Sequence, residues 1–526
     1  MAEHKVLITT SGLGSRLGSL TDFTNKSLVR VGDKPALSHI IENYPSGTKF
    51  VITIGHYGYH VKEFLELTYP GASFEFVEVE NYKGENSSLL HSMNVARPKL
   101  QCPFIFHVCD SVILDKIPDP SYNWIGTAKS ETSEQYRTIN VSPDQHLIKI
   151  NEKGEINYDY AYPGLAGIKD FEIFWRCLDR IVATSDKASA KSLSDCHVLQ
   201  MMSDQENIQF DTVLVDEWYD IGEPFALSKT REKMSSSIEV LDKIQENIYI
   251  VNNHVVKFFH DETLISKRVE RATSLSGLVP RIAASSRHFF KYRYVPGDLF
   301  ADSVTPDKMS LFLDWVSQNM WNPGKSNEDI SADCHKFYFE KTKKRIQLHL
   351  GDLSDKASII NGKKIPPVQE MLSSIDWEWL CNGIATTIHG DLILDNVIET
   401  ETDFVLIDWR QDFAGRLDVG DVYYDLAKLN HNLVFNHELV NQSHYILQPR
   451  KVGYECDILC RKNLIDCQEV LHSFVTSHGY DLDKVKMLTS LIWINMSPLH
   501  EHPLDKFLFN FGKYNLFRSL EKRGDL

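Results

Sequence analysis

Short apolar runs open the chain, with amphipathic stretches between them. KVLITT (5–10) reads as a buried strand, KFVITIG (49–55) and FEFVEVE (74–80) as further strands, and PFIFHVCDSVIL (103–114) as another apolar strand. KPALSHIIENY and YHVKEFLELTY read as helices between them. Strands alternating with helices predict an open, mostly parallel α/β sheet. YRTINVSPDQHLIKINEKGE alternates on either side of an SPDQ turn, which predicts a hairpin added to that sheet.

The pattern changes near residue 228. SKTREKMSSSIEVLDKIQENIY is polar and helix-prone, with a serine run. IYIVNNHVVKFF then reads as two short strands about an Asn-Asn turn, ISKRVERATSL as a helix and RHFFKYRYVPGDLF as a strand leaving through a turn. From about 305 the chain reads as mostly helical. The predicted organisation is therefore a domain over 1–230, a linker over 231–246, a strand-rich region over 247–304 and a helical region over 305–526.

A chain of 526 residues exceeds one ordinary core, in line with more than one domain at ~150 residues each. The net charge of −16 argues against non-specific binding to nucleic acid or to an anionic membrane face, but leaves room for a local basic pocket. Nine scattered cysteines form no CxxC pair and read as reduced thiols. Cys456 and Cys460 would share a helix face, as zinc ligands or as plain core. No apolar run reaches the ~20 residues of a membrane span. A cytoplasmic protein without membrane insertion is expected, and a homo-oligomer stays open.

LITTSGLGSRLGSLTDFTNKSL (7–28) places a glycine-broken loop directly after the first strand. Such a loop lets backbone N–H groups approach phosphate, or is simply a tight strand-to-helix turn. Gly12, Gly14 and Gly18 supply the freedom, and Arg16 and Lys26 supply charge. With VGDKPAL behind it, the run resembles the signature of the nucleotidyltransferases that make sugar and alcohol nucleotides, including phosphocholine cytidylyltransferases. Asn25 stands where that family usually has proline. VDEWYDIGEPFAL resembles the family's closing element and puts Asp220 at a strand end, while Asp110 closes FIFHVCD. The resemblance implies that Asp110 and Asp220 bind one Mg²⁺, that Arg16 and Lys26 are catalytic and that Gly12 and Gly14 bind nucleotide. It nominates Lys153, in NEKGE, for the acceptor phosphate, the alternative being a solvated hairpin tip. Asn86 and Ser87, in YKGENSSLL, fall where the family reads the base, or in a polar surface loop.

IHGDLILDNVI contains H-G-D-x-x-x-x-N, and VLIDWRQ puts an aspartate twelve residues after its asparagine. With this spacing Asp391 accepts a proton from a substrate hydroxyl, Asn396 turns back to a metal and Asp408 reaches the same metal. These residues resemble the aminoglycoside phosphotransferase and choline kinase family, which shares the protein-kinase fold. Asp421 and Asp425, in GRLDVGDVYYDLAKL, read as structural anchors. Lys257 in HVVKFF is assigned to the α/β-phosphates, or to guarding a sheet edge, and Glu270 is its ion-pair partner on the next helix. No glycine-rich loop precedes Lys257; Ser235 to Ser237 are the small residues in reach.

Together the resemblances imply an α/β fold class. A Rossmann-like, mostly parallel-sheet nucleotidyltransferase domain precedes an α+β bilobal kinase-like domain, with 247–304 as its N-lobe and 305–526 as its C-lobe. The implied enzyme is bifunctional. ATP phosphorylates a small alcohol (an amino alcohol or polyol), and CTP or another nucleoside triphosphate converts the product to CDP-X with release of pyrophosphate, Mg²⁺ serving both sites. The product would feed surface polysaccharide or lipid decoration. One alternative is an anomeric sugar kinase joined to a sugar-1-phosphate nucleotidyltransferase. Another makes one domain a nucleotide sensor that regulates the other.

Overall fold

Four of the apolar runs form the parallel end of a ten-stranded sheet. Strands Ser73–Glu78, Lys49–Ile54, Lys5–Thr9 and Phe104–Val108 lie side by side in that order, all parallel. Val6, Leu7 and Ile8 are fully buried. Val6 and Ile8 join one core cluster and Leu7 the other, because successive side chains of a strand point to opposite faces. A central strand covered on both faces must be apolar throughout, which is why KVLITT does not alternate, whereas FEFVEVE alternates and forms the partly exposed edge strand. Beyond Phe104–Val108 the sheet continues through Leu165–Ile168 and Trp124–Ala128, each antiparallel to its neighbour. Asp211–Val215 adds in parallel to Trp124–Ala128. The predicted hairpin forms as Thr138–Val141 against Leu147–Asn151.

This computed structural model describes residues 4–84, 87–184, 192–234, 244–321, 328–351, 353, 355–356 and 358–526. The chain divides into two compact units, Met1–Glu262 with Ala283–Tyr294, and Thr263–Ile282 with Val295–Leu526.

The first unit therefore includes strands that the sequence pattern groups with the region 247–304. Glu246–Val251 and His254–Phe259 pair about Asn252 and Asn253, both at positive φ (51° and 58°), and Phe289–Arg293 extends the pair. Tyr249, Val256, Phe258 and Phe289 share a core cluster with Val6, Ile8 and Phe64. The Tyr249 hydroxyl donates to the Leu28 carbonyl at 2.7 Å, and Lys291 Nζ to the Leu67 carbonyl at 2.6 Å. An apolar pattern shows that a strand needs a core, but not which core receives it.

The second unit is built on long helices, among them Val422–Val434, Lys462–Ser477, Leu482–Met496 and Leu504–Arg523. It also holds a sheet absent from the helical expectation for 305–526. Ser358–Ile360 pairs with Lys363–Ile365, and Tyr445–Pro449 with Tyr454–Ile458. Asn361 and Gly362, both at positive φ, are an Asn-Gly hairpin signal in the sequence. Cys456 lies on a strand, so it shares no helix face with Cys460, and all nine cysteines are free thiols. Among the described residues no helix is long and apolar enough to cross a membrane.

Candidate active sites

In the first unit, strands Lys5–Thr9 and Phe104–Val108 are parallel neighbours, and Thr9 stands beside Val108. Lys49–Ile54, the next strand of this sheet in chain order, lies on the other side of Lys5–Thr9. The order of strands thus reverses between them, and the crevice at their carboxyl ends is where open α/β sheets bind ligands. The glycine loop leaves one strand there and Asp110 follows the other.

Gly14 has φ 69°, and a Cβ on it would lie 2.8 Å from Lys26 Cβ, so both its conformation and the passage of Lys26 require glycine. The space over Gly12 is open. Asn25 is fully buried and fixes the approach of Lys26. Its amide donates to the carbonyls of Thr10 (2.8 Å) and His56 (2.6 Å) and its oxygen accepts from the Ser27 amide (3.0 Å) and hydroxyl (2.8 Å). These four hydrogen bonds fix the turn that leads into Lys26.

Lys26 Nζ lies 3.0 Å from Asp110 Oδ2, and Arg16 Nη2 lies 3.9 Å from the same oxygen. Strand Trp218–Asp220 pairs with Ser111–Ile113, and the Ile221 amide donates to the Asp110 carbonyl at 3.0 Å. A Cβ placed on Gly222 would stand 3.2 Å from Asp220 Oδ1, 3.4 Å from Arg16 Nη2 and 3.5 Å from Asp110 Oδ2. The two carboxylates and the guanidinium therefore surround one point. Asp220 also accepts from the Gly222 amide at 3.0 Å and from the Tyr136 hydroxyl at 3.1 Å.

The two acids are tuned apart. Burial raises Asp220, helped by the neighbouring charge of Asp110. Burial acts on Asp110 too, but the Lys26 ammonium and then Arg16 hold it below its ordinary value. Lys153 follows strand Leu147–Asn151. Desolvation and the charge of Arg16 lower its amine, against the pull of Asp220 and Asp110, so it lies within electrostatic reach of the cluster. Ser87 donates to the Gly84 carbonyl at 2.9 Å within its own turn. Asn86 lies outside the described residues, as do Ser235 to Ser237.

In the second unit, hairpin Val397–Glu399/Phe404–Leu406 carries Asp408 back to the loop of Asp391. The Ile407 amide donates to the Asn396 carbonyl at 2.9 Å and the Arg410 amide to the His389 carbonyl at 3.1 Å, which pins both flanks of Asp408. Asp408 has φ 60°, a strained conformation for a residue with a side chain. Its Oδ1 lies 4.0 Å from Arg268 Nη1. Asn396 Nδ2 donates to the Asp391 carbonyl at 2.9 Å. Asp391, Asn396 and Asp408 are thus gathered on one loop pair.

Asp391 Oδ1 is 2.7 Å from Lys428 Nζ. Burial opposes its ionisation, but Lys428 holds it well below the usual carboxylate range. His389 is fully buried, and burial pulls it down to about 4. Its Nδ1 accepts from the Asp391 amide at 3.3 Å, so Nε2 carries the proton and donates to the Ile407 carbonyl at 2.9 Å. Asp425 accepts from the amides of His389 (2.8 Å) and Gly390 (2.7 Å), and Asp421 from the Ile384 amide (3.0 Å) and the Tyr338 hydroxyl (2.7 Å). Both act as anchors of the loop.

Lys257 is buried on a strand of the first unit, and Glu270 is exposed on helix Glu262–Ser274, in its second-unit part. The next residue, Arg271, is buried instead and donates to the carbonyls of Ile388 (2.6 Å) and Arg410. Sequence reading passed over Tyr136, Arg271, Arg410 and Lys428. Arg410 stood in plain view, two positions after Asp408.

Among the described residues no group of three or more His, Cys, Asp or Glu is assembled as a metal centre. Magnesium takes one or two carboxylates and completes its shell with phosphate and water. The Asp110–Asp220 pair fits that demand, as does Asp408 with the Asn396 amide.

No family model matches the chain. Bifunctional protein GlmU of Methanococcus vannielii is 22% identical over 259 residues, which are 48% of this chain and 60% of that protein. Glucose-1-phosphate cytidylyltransferase of Salmonella typhimurium is 41% identical over 63 residues, 12% of this chain and 24% of that protein. The chain thus spans less than two thirds of the length of these curated relatives. The solved CTP:phosphocholine cytidylyltransferase of Streptococcus pneumoniae is 16% identical, with 44% of this chain and 100% of that one covered, at a TM-score of 0.37. The N-terminal part of the chain is similar to nucleotidyltransferases of the cytidylyl and sugar-1-phosphate type.

Proposed function

We propose that the chain is a bifunctional enzyme. The region of Asp391 phosphorylates a small hydroxyl compound with ATP, and the region of Asp110 joins the product to a nucleotide, CMP from CTP, with release of pyrophosphate. The convergence of Arg16, Lys26, Asp110 and Asp220 at the carboxyl ends of parallel strands carries the second step. The Asp391–Asn396–Asp408 arrangement supports the first.

In nucleotidyl transfer, an oxygen of the acceptor phosphate attacks the α-phosphorus and the bond to the bridging oxygen breaks. Arg16 and Lys26 meet the charge that builds on the phosphate oxygens, and Lys153 orients the acceptor phosphate. No nucleophile from the protein is needed. Magnesium held by Asp110 and Asp220 would supply further neutralising charge. In phosphoryl transfer Asp391 takes the proton of the attacking hydroxyl.

A second reading, with a sugar 1-phosphate as the intermediate, is favoured by the 41% identical stretch shared with glucose-1-phosphate cytidylyltransferase. A matrix of four nucleoside triphosphates against a panel of alcohols, sugars and their phosphates, read by product mass, separates the two. Asp391→Ala should abolish phosphorylation and spare nucleotidyl transfer to supplied X-phosphate. Asp110→Ala should do the reverse. Loss of both activities in either folded variant would sink the proposal of separate sites.

A further inference from the structure

A protein with net charge −16 gathers Lys341, Arg410 and Lys428 around Asp391, with Arg345 beside Lys341 and Arg410. Phe337, Lys341 and Arg345 are spaced four residues apart and share one face of the helical stretch 331–350. A π-helical turn over Lys336–Glu340 interrupts this stretch, a feature that recurs at functional sites. Lys341 Nζ lies 4.1 Å from the Phe337 ring centre, and the Arg410 guanidinium lies 4.9 Å from the same ring. Phe337 packs on Tyr424, ring centres 4.8 Å apart, one helical turn before Lys428. Lys428 in turn holds Asp391.

These cations are short of counter-charge. Among the described residues only Lys428 of the four has a carboxylate within ion-pair distance. Arg410 Nε is buried without a hydrogen-bond partner. Burial, with the like charges of Arg410, Lys428 and Arg345, pushes the Lys341 amine well below its ordinary value. Like charges crowded out of water are unfavourable unless an anion joins them.

Resting on the kinase reading above, we infer that this cluster holds the phosphoryl acceptor by an anionic group, so that the acceptor is a hydroxyl compound already bearing a carboxylate or a phosphate. Its hydroxyl oxygen bonds to the γ-phosphorus of ATP, the bond to the bridging oxygen breaks, ADP leaves and the hydroxyl proton passes to Asp391. A cationic amino alcohol is disfavoured, because the aromatic face that would attract an ammonium already carries Lys341 and Arg410.

The test uses the full chain saturated with magnesium and a non-hydrolysable ATP analogue. Glycerate, glycerol 3-phosphate, glycerol and choline are titrated by calorimetry and then offered as acceptors with radiolabelled ATP. At least one of the two anions should bind ten or more times tighter than glycerol or choline, and the tighter one identifies carboxylate or phosphate. Lys341→Met with Arg345→Met should weaken that binding tenfold or more, and Lys341→Arg should keep it. Equal binding of choline or glycerol overturns the inference, as does binding that the double variant leaves intact. Anion binding abolished by the nucleotide analogue also overturns it, since the cluster would then serve nucleotide phosphates. Any of these with Asp391-dependent transfer preserved leaves the kinase reading standing. If no acceptor of the wider panel shows Asp391-dependent transfer, the kinase reading falls and takes the inference with it.

Discussion

Lys26 Nζ and Asp110 Oδ2 are 3.0 Å apart, which ties the loop after the first strand to the end of its parallel neighbour. The pair sets the charge state of the site, since each partner favours the ionised form of the other. Lys26→Met should lower kcat for nucleotidyl transfer by roughly 10²–10³-fold, the usual loss for one preorganised donor to developing charge. Steady-state assays with X-phosphate and CTP check it, with phosphorylation of X as the internal control for folding.

Asn25 is a structural residue beside Lys26, to which the proposal gives a catalytic role. Asn25→Ala strands the carbonyls of Thr10 and His56 in a buried place. The expected cost is about 2 kcal/mol, seen as an earlier thermal transition of the first unit. Asn25→Pro suits the backbone, since φ is −74°, but loses the same two hydrogen bonds and should be no better than alanine.

The Lys428–Asp391 ion pair predicts a pH effect. Without Lys428, burial dominates at Asp391 and its carboxyl rises. Lys428→Met should therefore move the acid limb of the phosphorylation profile upward by roughly 1–3 pH units, the usual range for an adjacent charge. A profile of kcat/KM from pH 4 to 8 tests this, and an unmoved acid limb counts against Asp391 as the base.

His60 is fully buried among aromatic rings, and neither of its nitrogens has a hydrogen-bond partner. Burial, with the charges of His288 and His260, lowers it to about 2. The unfolded chain protonates it near ~6.5. The unfolded state thus binds more protons in this window, so the stabilising effect is present above ~6.5 and is lost as pH falls, by up to about 1.4 kcal/mol per pH unit. His60→Phe should flatten that acid loss. Urea midpoints of both proteins at pH 5 and pH 7 give the comparison.

Much of the first sheet was legible because buried parallel strands are apolar throughout, and Asp110 and Asp220 sit at strand ends inside motif segments. The spacing of Asp391, Asn396 and Asp408 was legible because one hairpin connects them. Tyr136 was not, since it meets Asp220 across 84 positions of sequence. Lys341 and Arg345 fall in no motif, and only the approach of Arg410 and Lys428 from elsewhere in the fold makes them a cluster. The Asn361-Gly362 hairpin was readable and was missed because the helical pattern around it is stronger.

The chain passes between its two compact units three times, after Glu262, Ile282 and Tyr294. A gene cut once, at any codon, therefore yields no fragment matching either unit. Cutting near residue 230 would strip Tyr249, Val256, Phe258 and Phe289 from the interior that holds Val6 and Phe64, leaving an oily wound on the amino-terminal piece. Isolated halves of this protein should precipitate, and dissecting the two proposed chemistries calls for point substitutions in the whole polypeptide.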